Sequence, residues 1–260
     1  MDLGLQGRWV LITGASGGIG AGAAEAFAAE GCNLHLTARN DEALMMIARR
    51  LREAHQIEAR THPLDLTAEG ATEKLVEAVG DVDVLLNNAG VIPGGDLQGV
   101  DETRWREGWE LKVFGYINLT RAVYARMRDR GRGVIINNIG NAGERLDAEY
   151  IAGTTGNASL MAFTRALGGR SLDDGIRVVG VNPGPVDTER IYKLLRHRAQ
   201  EWLGDEDKWP ELQARYPQGR PASVHEVVDL MVFLASDRSG YTSGAIMTVD
   251  GGISARNSII

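Results

Sequence analysis

The chain has a single cysteine among 260 residues, which excludes an internal disulfide. That residue, Cys32, follows Gly31 and precedes an apolar run, the setting of a buried structural thiol. Apolar runs approaching the roughly 18 residues that span a bilayer are also lacking, which argues against a transmembrane helix or membrane partner. Positive charge is in deficit: 28 Lys and Arg face 35 Asp and Glu, a formal net charge of −7. That balance argues against nucleic acid as a main partner. The five histidines show no metal-ligand spacing, so no metal is expected. The opening MDLGLQGRWVLITG lacks a basic region and runs straight into a strand, unlike a signal peptide, so a cytoplasmic location is expected. What is present is ordinary globular composition, 43% hydrophobic and 24% charged, and the length suits one α/β domain over 1–260.

Short apolar runs alternate with amphipathic stretches. Strands are predicted at Trp9–Thr13, Asn33–Ala38, Glu58–Pro63, Val82–Asn87, Val134–Ile139, Arg177–Asn182 and Ala245–Val249. They are mostly continuous apolar runs, as strands covered on both faces should be. Helices are predicted at Ile19–Glu30, Glu42–Ala54, Ala68–Val79, Thr103–Arg130, Tyr150–Leu172 and Val224–Ala235. This alternation implies a doubly wound parallel sheet with right-handed crossovers. Thr188–Pro221 breaks the rhythm and reads as a helical insertion.

TGASGGIG (13–20) follows the first strand and opens the first helix. Gly14, Gly18 and Gly20 fit a turn where the backbone passes close to a pyrophosphate, and Ser16, Gly17 and Ile19 complete the cradle. The helix amino end offers free amides and a favourable dipole to that anion. In dinucleotide sites an acidic residue at the end of the second strand holds the ribose 2′-hydroxyl. Here Ala38 stands there and Arg39 follows. A guanidinium suits a 2′-phosphate, which favours NADP over NAD.

The spacing TGxxxGxG, with NNAG (87–90), NPGPVDT (182–188) and SGAIMTVDGG (243–252) in order, resembles the short-chain dehydrogenase/reductase family from Gly7 to Gly252. The resemblance implies a three-layer Rossmann fold with a seven-stranded sheet in the order 3-2-1-4-5-6-7 and the cofactor across its carboxyl edge. It further implies that Asp65 and Leu66 flank the adenine, and that Asn88, Ala89 and Gly90 flank the adenosine ribose. Pro183, Gly184, Val186 and Thr188 would line the nicotinamide amide and pyrophosphate, while Asn87 pins neighbouring backbone. The region 188–221 would be the substrate lid for a small-molecule substrate, and a homotetramer or dimer would form through the two long helices.

The family works with a serine, a tyrosine, a lysine and an asparagine. In register with its pattern, GVIINNIGNAG (133–143) puts Gly140 at the serine, and GTTGNASLMAFTRALG (153–168) puts Gly153 at the tyrosine and Asn157 at the lysine. WELKVFGYINLT (109–120) puts Lys112 at the asparagine, which suggests a swap in which Lys112 reaches the same ribose from the opposite side. The competing reading makes Lys112 a structural cation. Tyr150, three residues before Gly153, is about one helical turn away and is the candidate proton donor. The charged run Glu144–Glu149 reads as a solvated loop, or as a polar site using Arg145, Glu144 or Asp147. Ile191, Tyr192, Leu194 and Leu195 would cover the pocket, with Tyr192 and His197 as reserve donors. Three functions follow: an NADP-dependent oxidoreductase with a rebuilt acid–base site, an enzyme of another reaction class on the same fold, or a non-catalytic NADP-binding sensor or partner subunit.

Overall fold

The computed structural model describes residues 1–256. Seven parallel strands form one sheet in the order β3-β2-β1-β4-β5-β6-β7, as the resemblance implied. They are β1 (Trp9–Thr13), β2 (Asn33–Ala38), β3 (Ala59–Pro63), β4 (Val84–Asn87), β5 (Gly133–Asn138), β6 (Ile176–Pro183) and β7 (Ile246–Val249). The helices are α1 (Gly18–Ala29), α2 (Asp41–His55), α3 (Ala71–Val79), α4 (Glu102–Trp109), α5 (Gly115–Arg130), α6 (Ile151–Gly168), α7 (Glu189–Leu203), α8 (Trp209–Gln213) and α9 (Val224–Ala235). Alternate residues of each strand point to opposite faces. Val10, Ile12, Leu34, Leu36, Val84 and Leu86 therefore meet Phe27 of α1, Leu44 of α2 and Met231 of α9. On the other face Leu11, Leu85, Ile135 and Val178 meet Leu75 of α3 and Val123 of α5. Cys32 is buried, its thiol donates to the Leu5 carbonyl at 3.4 Å, and burial pushes it up to about 12. No helix among the described residues is long and apolar enough to cross a membrane.

Most boundaries fall within one or two residues of the sequence expectation, and three predicted helices depart further. The helix predicted over Thr103–Arg130 is two helices joined by a π-turn at Glu110–Phe114. Such turns are registers shifted within a helix, and are frequent at functional sites. The helix predicted to begin at Ala68 begins at Ala71, because Gly70 takes a left-handed conformation at its start. The helix predicted over Tyr150–Leu172 spans Ile151–Gly168, with Tyr150 as its non-helical N-cap. It stops where Gly168 meets the backbone of Gly244 too closely for any side chain.

The insertion folds on itself. Ile191, Leu195, Ala199 and Leu212 form a small core with Tyr192 and Trp209 packed against it, the two rings edge to face at 5.3 Å. Thus Ile191 and Leu195 serve this local core rather than an open pocket, and Leu194 is exposed.

Candidate active site

The carboxyl edge of the sheet gathers the glycine turn, the end of β4, the end of β5 and the segment after β6. At the first turn Gly14 has φ +67, and a side chain there would bring Cβ to 2.9 Å from Ala89 Cα. A Cβ at Gly20 would overlap the Gly14 carbonyl. Gly17 is the N-cap of α1 and supplies no side-chain cap, so the amides of Gly18, Ile19 and Gly20 open the helix toward the groove. A cradle that only glycine permits, at an uncapped helix amino end, suits a phosphate group. Ala15 is buried beneath this turn, whereas Ser16 is half-buried and Gly17 exposed.

Thr13 and Asn88 hold the turn against β4. The Thr13 hydroxyl accepts from the amides of Asn88 at 2.8 Å and Ala89 at 2.9 Å. The Asn88 amide donates back to the Thr13 carbonyl at 2.9 Å and the Gly14 carbonyl at 3.3 Å. Asn88 is thus the residue that pins backbone. Asn87, expected in that role, instead donates to the Thr120 hydroxyl at 3.0 Å and the Asn137 side chain at 2.9 Å. The correction follows from strand alternation, which turns Asn87 into the layer beneath and Asn88 toward the edge.

Arg39 lies exposed past the end of β2, with no carboxylate partner among the described ion pairs. Asp65, past β3, accepts from the Thr67 amide at 3.0 Å and hydroxyl at 2.7 Å. Those hydrogen bonds, with the Arg39 charge adding to them, hold its carboxyl below the usual carboxylate range. Leu66 beside it is half-buried and packs on the core. On the opposite side of the groove, Pro183 ends β6 and Val186 is buried. Gly184 approaches Asp250 so closely that a Cβ would sit 2.7 Å from the Asp250 Cβ. The Thr188 side chain would lie 3.5 Å from a Cβ at Gly18, which closes the groove between α1 and α7.

At the inner end Gly140, Gly153 and Asn157 are built differently from one another. Gly140 has φ +123, a conformation side chains rarely adopt, and the Asn157 amide nitrogen lies 3.0 Å from where its Cβ would be. Asn157 is buried, and its Oδ1 has no hydrogen-bond partner. At Gly153 a Cβ would fall on the Tyr150 ring, overlapping Cε1 and Cζ. The Tyr150 ring therefore fills the space that a side chain on Gly153 would take. Its backbone is fixed there: Gly95 donates to the Glu149 carbonyl at 3.0 Å and accepts from the Ile151 amide at 3.3 Å. Its ring packs with Ile92, Val100 and Trp109, and the Trp109 indole donates to the Ala152 carbonyl at 3.0 Å.

Lys112 projects from the π-turn. Its ammonium donates to the Asn138 carbonyl at 3.1 Å and the Ile139 carbonyl at 2.7 Å, at the end of β5. Burial, with the Arg190 charge nearby, pushes it down to about 7. Its stem lies over Gly90, where a Cβ would overlap Lys112 Cδ. The Tyr116 hydroxyl donates to the same Asn138 carbonyl at 2.9 Å.

The charged run is not a free solvated loop. The Glu144 carboxylate accepts from Asn182 at 3.1 Å and from Thr248 at 2.8 Å, which ties the run to β6 and β7. Asp147 lies 3.8 Å from Arg198 of α7, while Arg145 is exposed and unpaired among the described ion pairs. Tyr192 donates to Asp187 at 2.8 Å, and His197 is exposed beside Glu201 at 3.2 Å. Neither reserve donor faces the inner end of the groove. Two residues here were not singled out from the sequence. Asn138 carries a buried Oδ1 without a partner, and Arg190 reaches the Gly90 carbonyl from α7 at 3.4 Å. The available signals were an asparagine inside an apolar strand and an arginine two residues past Thr188.

Known proteins match along the whole of this architecture. A family model described as enoyl-(acyl carrier protein) reductase matches residues 14–254. The chain is 33% identical over 251 residues to the 2-keto-3-deoxy-L-fuconate dehydrogenase of Xanthomonas campestris, covering 95% of this chain and 80% of that protein. The structure of L-sorbose reductase from Gluconobacter frateurii, complexed with NADPH and L-sorbose, superposes with a TM-score of 0.91 at 32% identity, covering 99% of this chain and 100% of that one. NAD+-bound xylitol dehydrogenase superposes at 0.88 with 25% identity, covering 95% of this chain and 99% of that one. With the sheet order, the glycine turn and these matches in agreement, the chain belongs to the short-chain dehydrogenase/reductase family of oxidoreductases.

Proposed function

We propose that the protein is an NADP-dependent oxidoreductase that interconverts a carbonyl and an alcohol with a rebuilt acid–base site, in which Tyr150 carries the proton. The observation that supports this is the Tyr150 ring in the space of a residue 153 side chain. When bound, the nicotinamide cofactor supplies or accepts the hydride. The chain's own residues do the rest. Gly14, Ser16, Gly17, Gly18, Ile19 and Gly20 receive the pyrophosphate. Arg39 pairs with the 2′-phosphate, Asp65 and Leu66 border the adenine, and Asn88, Ala89 and Gly90 border the ribose. Pro183, Gly184, Val186 and Thr188 line the nicotinamide end. The orphaned Asn157 Oδ1 accepts from a ribose hydroxyl, a donor that a buried acceptor requires. Tyr150 donates its hydroxyl proton to the carbonyl oxygen. Lys112 stands at the same inner end, its ammonium on the carbonyls of Asn138 and Ile139. Segment 188–221 closes over the substrate.

NADP rather than NAD rests on Arg39, exposed just past the end of β2. The relatives do not separate the two: one neighbour is complexed with NADPH and another with NAD+. Fluorescence titration with NADPH and NADH, on the native protein and Arg39→Ala, tests the preference. The expected result is tighter NADPH binding that Arg39→Ala weakens by about 1–2 kcal/mol with NADH unaffected. Equal affinity for both nucleotides overturns it. Turnover of a carbonyl panel, lost in Tyr150→Phe, tests the donor. Gly140 and Gly153, which carry no functional group, favour a second reading as a non-catalytic NADP-binding protein. Tight NADPH binding without turnover on any carbonyl or alcohol would select it.

A further inference from the structure

Arg190 lies in the first turn of α7, two residues past Thr188, and has no carboxylate partner among the described residues. The acids beside it are engaged elsewhere: Glu189 pairs with Lys193 at 2.6 Å, and Asp187 accepts from Tyr192 at 2.8 Å. Instead the guanidinium crosses the groove and donates to the Gly90 carbonyl at 3.4 Å. The second cation at this place, Lys112, likewise has no carboxylate partner among the described residues: its ammonium rests on the carbonyl oxygens of Asn138 and Ile139 and over the Tyr116 ring at 5.4 Å. Gly90 is therefore bracketed, with the Lys112 stem against its α-carbon and Arg190 on its carbonyl. The two cations sense one another, since the Arg190 charge helps lower Lys112. Carbonyl dipoles leave the Arg190 charge uncancelled, and burial together with that charge pushes Lys112 down to about 7. An oxyanion between them would relieve that repulsion, and a guanidinium binds one in two parallel hydrogen bonds that a single carbonyl oxygen cannot match.

We propose that Arg190, backed by Lys112, forms an anion-recognition site at the mouth of the groove, and that its ligand is an oxyanion carried by the substrate, a carboxylate. The phosphate of the cofactor is the other source of the same chemistry. The carboxylate is favoured because the pyrophosphate already has the glycine cradle at the amino end of α1, whereas Arg190 and Lys112 meet beside the ends of β4 and β5. The naming of a substrate class rests on the oxidoreductase reading above; the binding of an anion does not. On substrate entry, Arg190 exchanges the Gly90 carbonyl for the carboxylate.

The test is calorimetric titration of the native protein, Arg190→Met and Arg190→Lys. Oxalate is titrated into protein with and without saturating NADP, and inorganic pyrophosphate into nucleotide-free protein. The expected result is oxalate binding weakened at least about tenfold by Arg190→Met and partly restored in Arg190→Lys, with NADPH affinity unchanged. If pyrophosphate and NADPH lose affinity instead while oxalate does not, the anion is the cofactor's and the carboxylate assignment is overturned. If Arg190→Met binds both anions as the native protein does, or the native protein binds neither, the site itself is overturned. If the native protein holds oxalate through Arg190 but binds no nicotinamide nucleotide, the site stands and the oxidoreductase reading falls. The Arg190 side chain is exposed, and an unchanged thermal midpoint confirms that the variants fold.

Discussion

Gly153→Ala adds one carbon to the chain, and that carbon would overlap the Tyr150 ring. Three effects set the cost. Alanine is better than glycine within a helix by about 1 kcal/mol. Forcing a methyl into filled space costs about 1–3 kcal/mol if nothing moves. Tyr150 can move, because it is the N-cap of α6 and only half-buried, and swinging out forfeits part of its packing on Ile92, Val100 and Trp109, about 1 kcal/mol. The gain and the last loss nearly cancel, so the variant should unfold within about 1 kcal/mol of the native protein in urea. Its chemistry should suffer far more, because a positioned general acid contributes about 10²–10⁴ in rate. The assay is NADPH oxidation at 340 nm with the best carbonyl of a panel, beside NADPH affinity by fluorescence. Gly153→Ala and Tyr150→Phe should each lose that factor in kcat, and the double variant should lose no more than either alone. A Gly153→Ala enzyme with native kcat would refute the placement of Tyr150 as proton donor.

A serine at position 140 should harm rather than help: Gly140→Ser must hold φ +123 and crowd the Asn157 amide, costing about 1–3 kcal/mol in urea unfolding without raising kcat. His35 and His62 share a 2.8 Å hydrogen bond beneath Trp9, and burial, then the neighbouring His62 and Arg60, hold His35 down from 6.5 to about 4. The unfolded chain therefore takes up the proton first. Stability is held above pH 6.5 and lost as pH falls through about 4, by up to about 3 kcal/mol, a loss that His35→Asn should largely abolish when urea midpoints are compared across that range. Buried Arg177 donates to the carbonyls of Leu234, Ala235 and Ser236 at the end of α9. Arg177→Met leaves those groups unpaired and should lower stability by about 3 kcal/mol, seen as a lower thermal midpoint with unchanged NADPH affinity.

The sheet was legible in the sequence because strands covered on both faces are written as short apolar runs, and because glycines at 14 and 20 mark a turn that no side chain can enter. Element order and the glycine turn follow from such local signals, whereas the strand order came from the resemblance to the family. The inner site was legible only as glycines at 140 and 153 and an asparagine at 157, and nothing local says what fills the space beside them. That was decided in three dimensions. The loop after β4 pairs with the backbone at Tyr150 and so aims a ring preceding α6 into the volume of residue 153. Lys112 sits in the π-turn with its ammonium on the carbonyls of Asn138 and Ile139, at the end of β5. Arg190 and Gly90 are 100 residues apart, and only the folding of α7 over the groove makes them neighbours. Backbone propensity and apolar period act along the chain, whereas the pairing of a buried charge or ring depends on packing between distant elements.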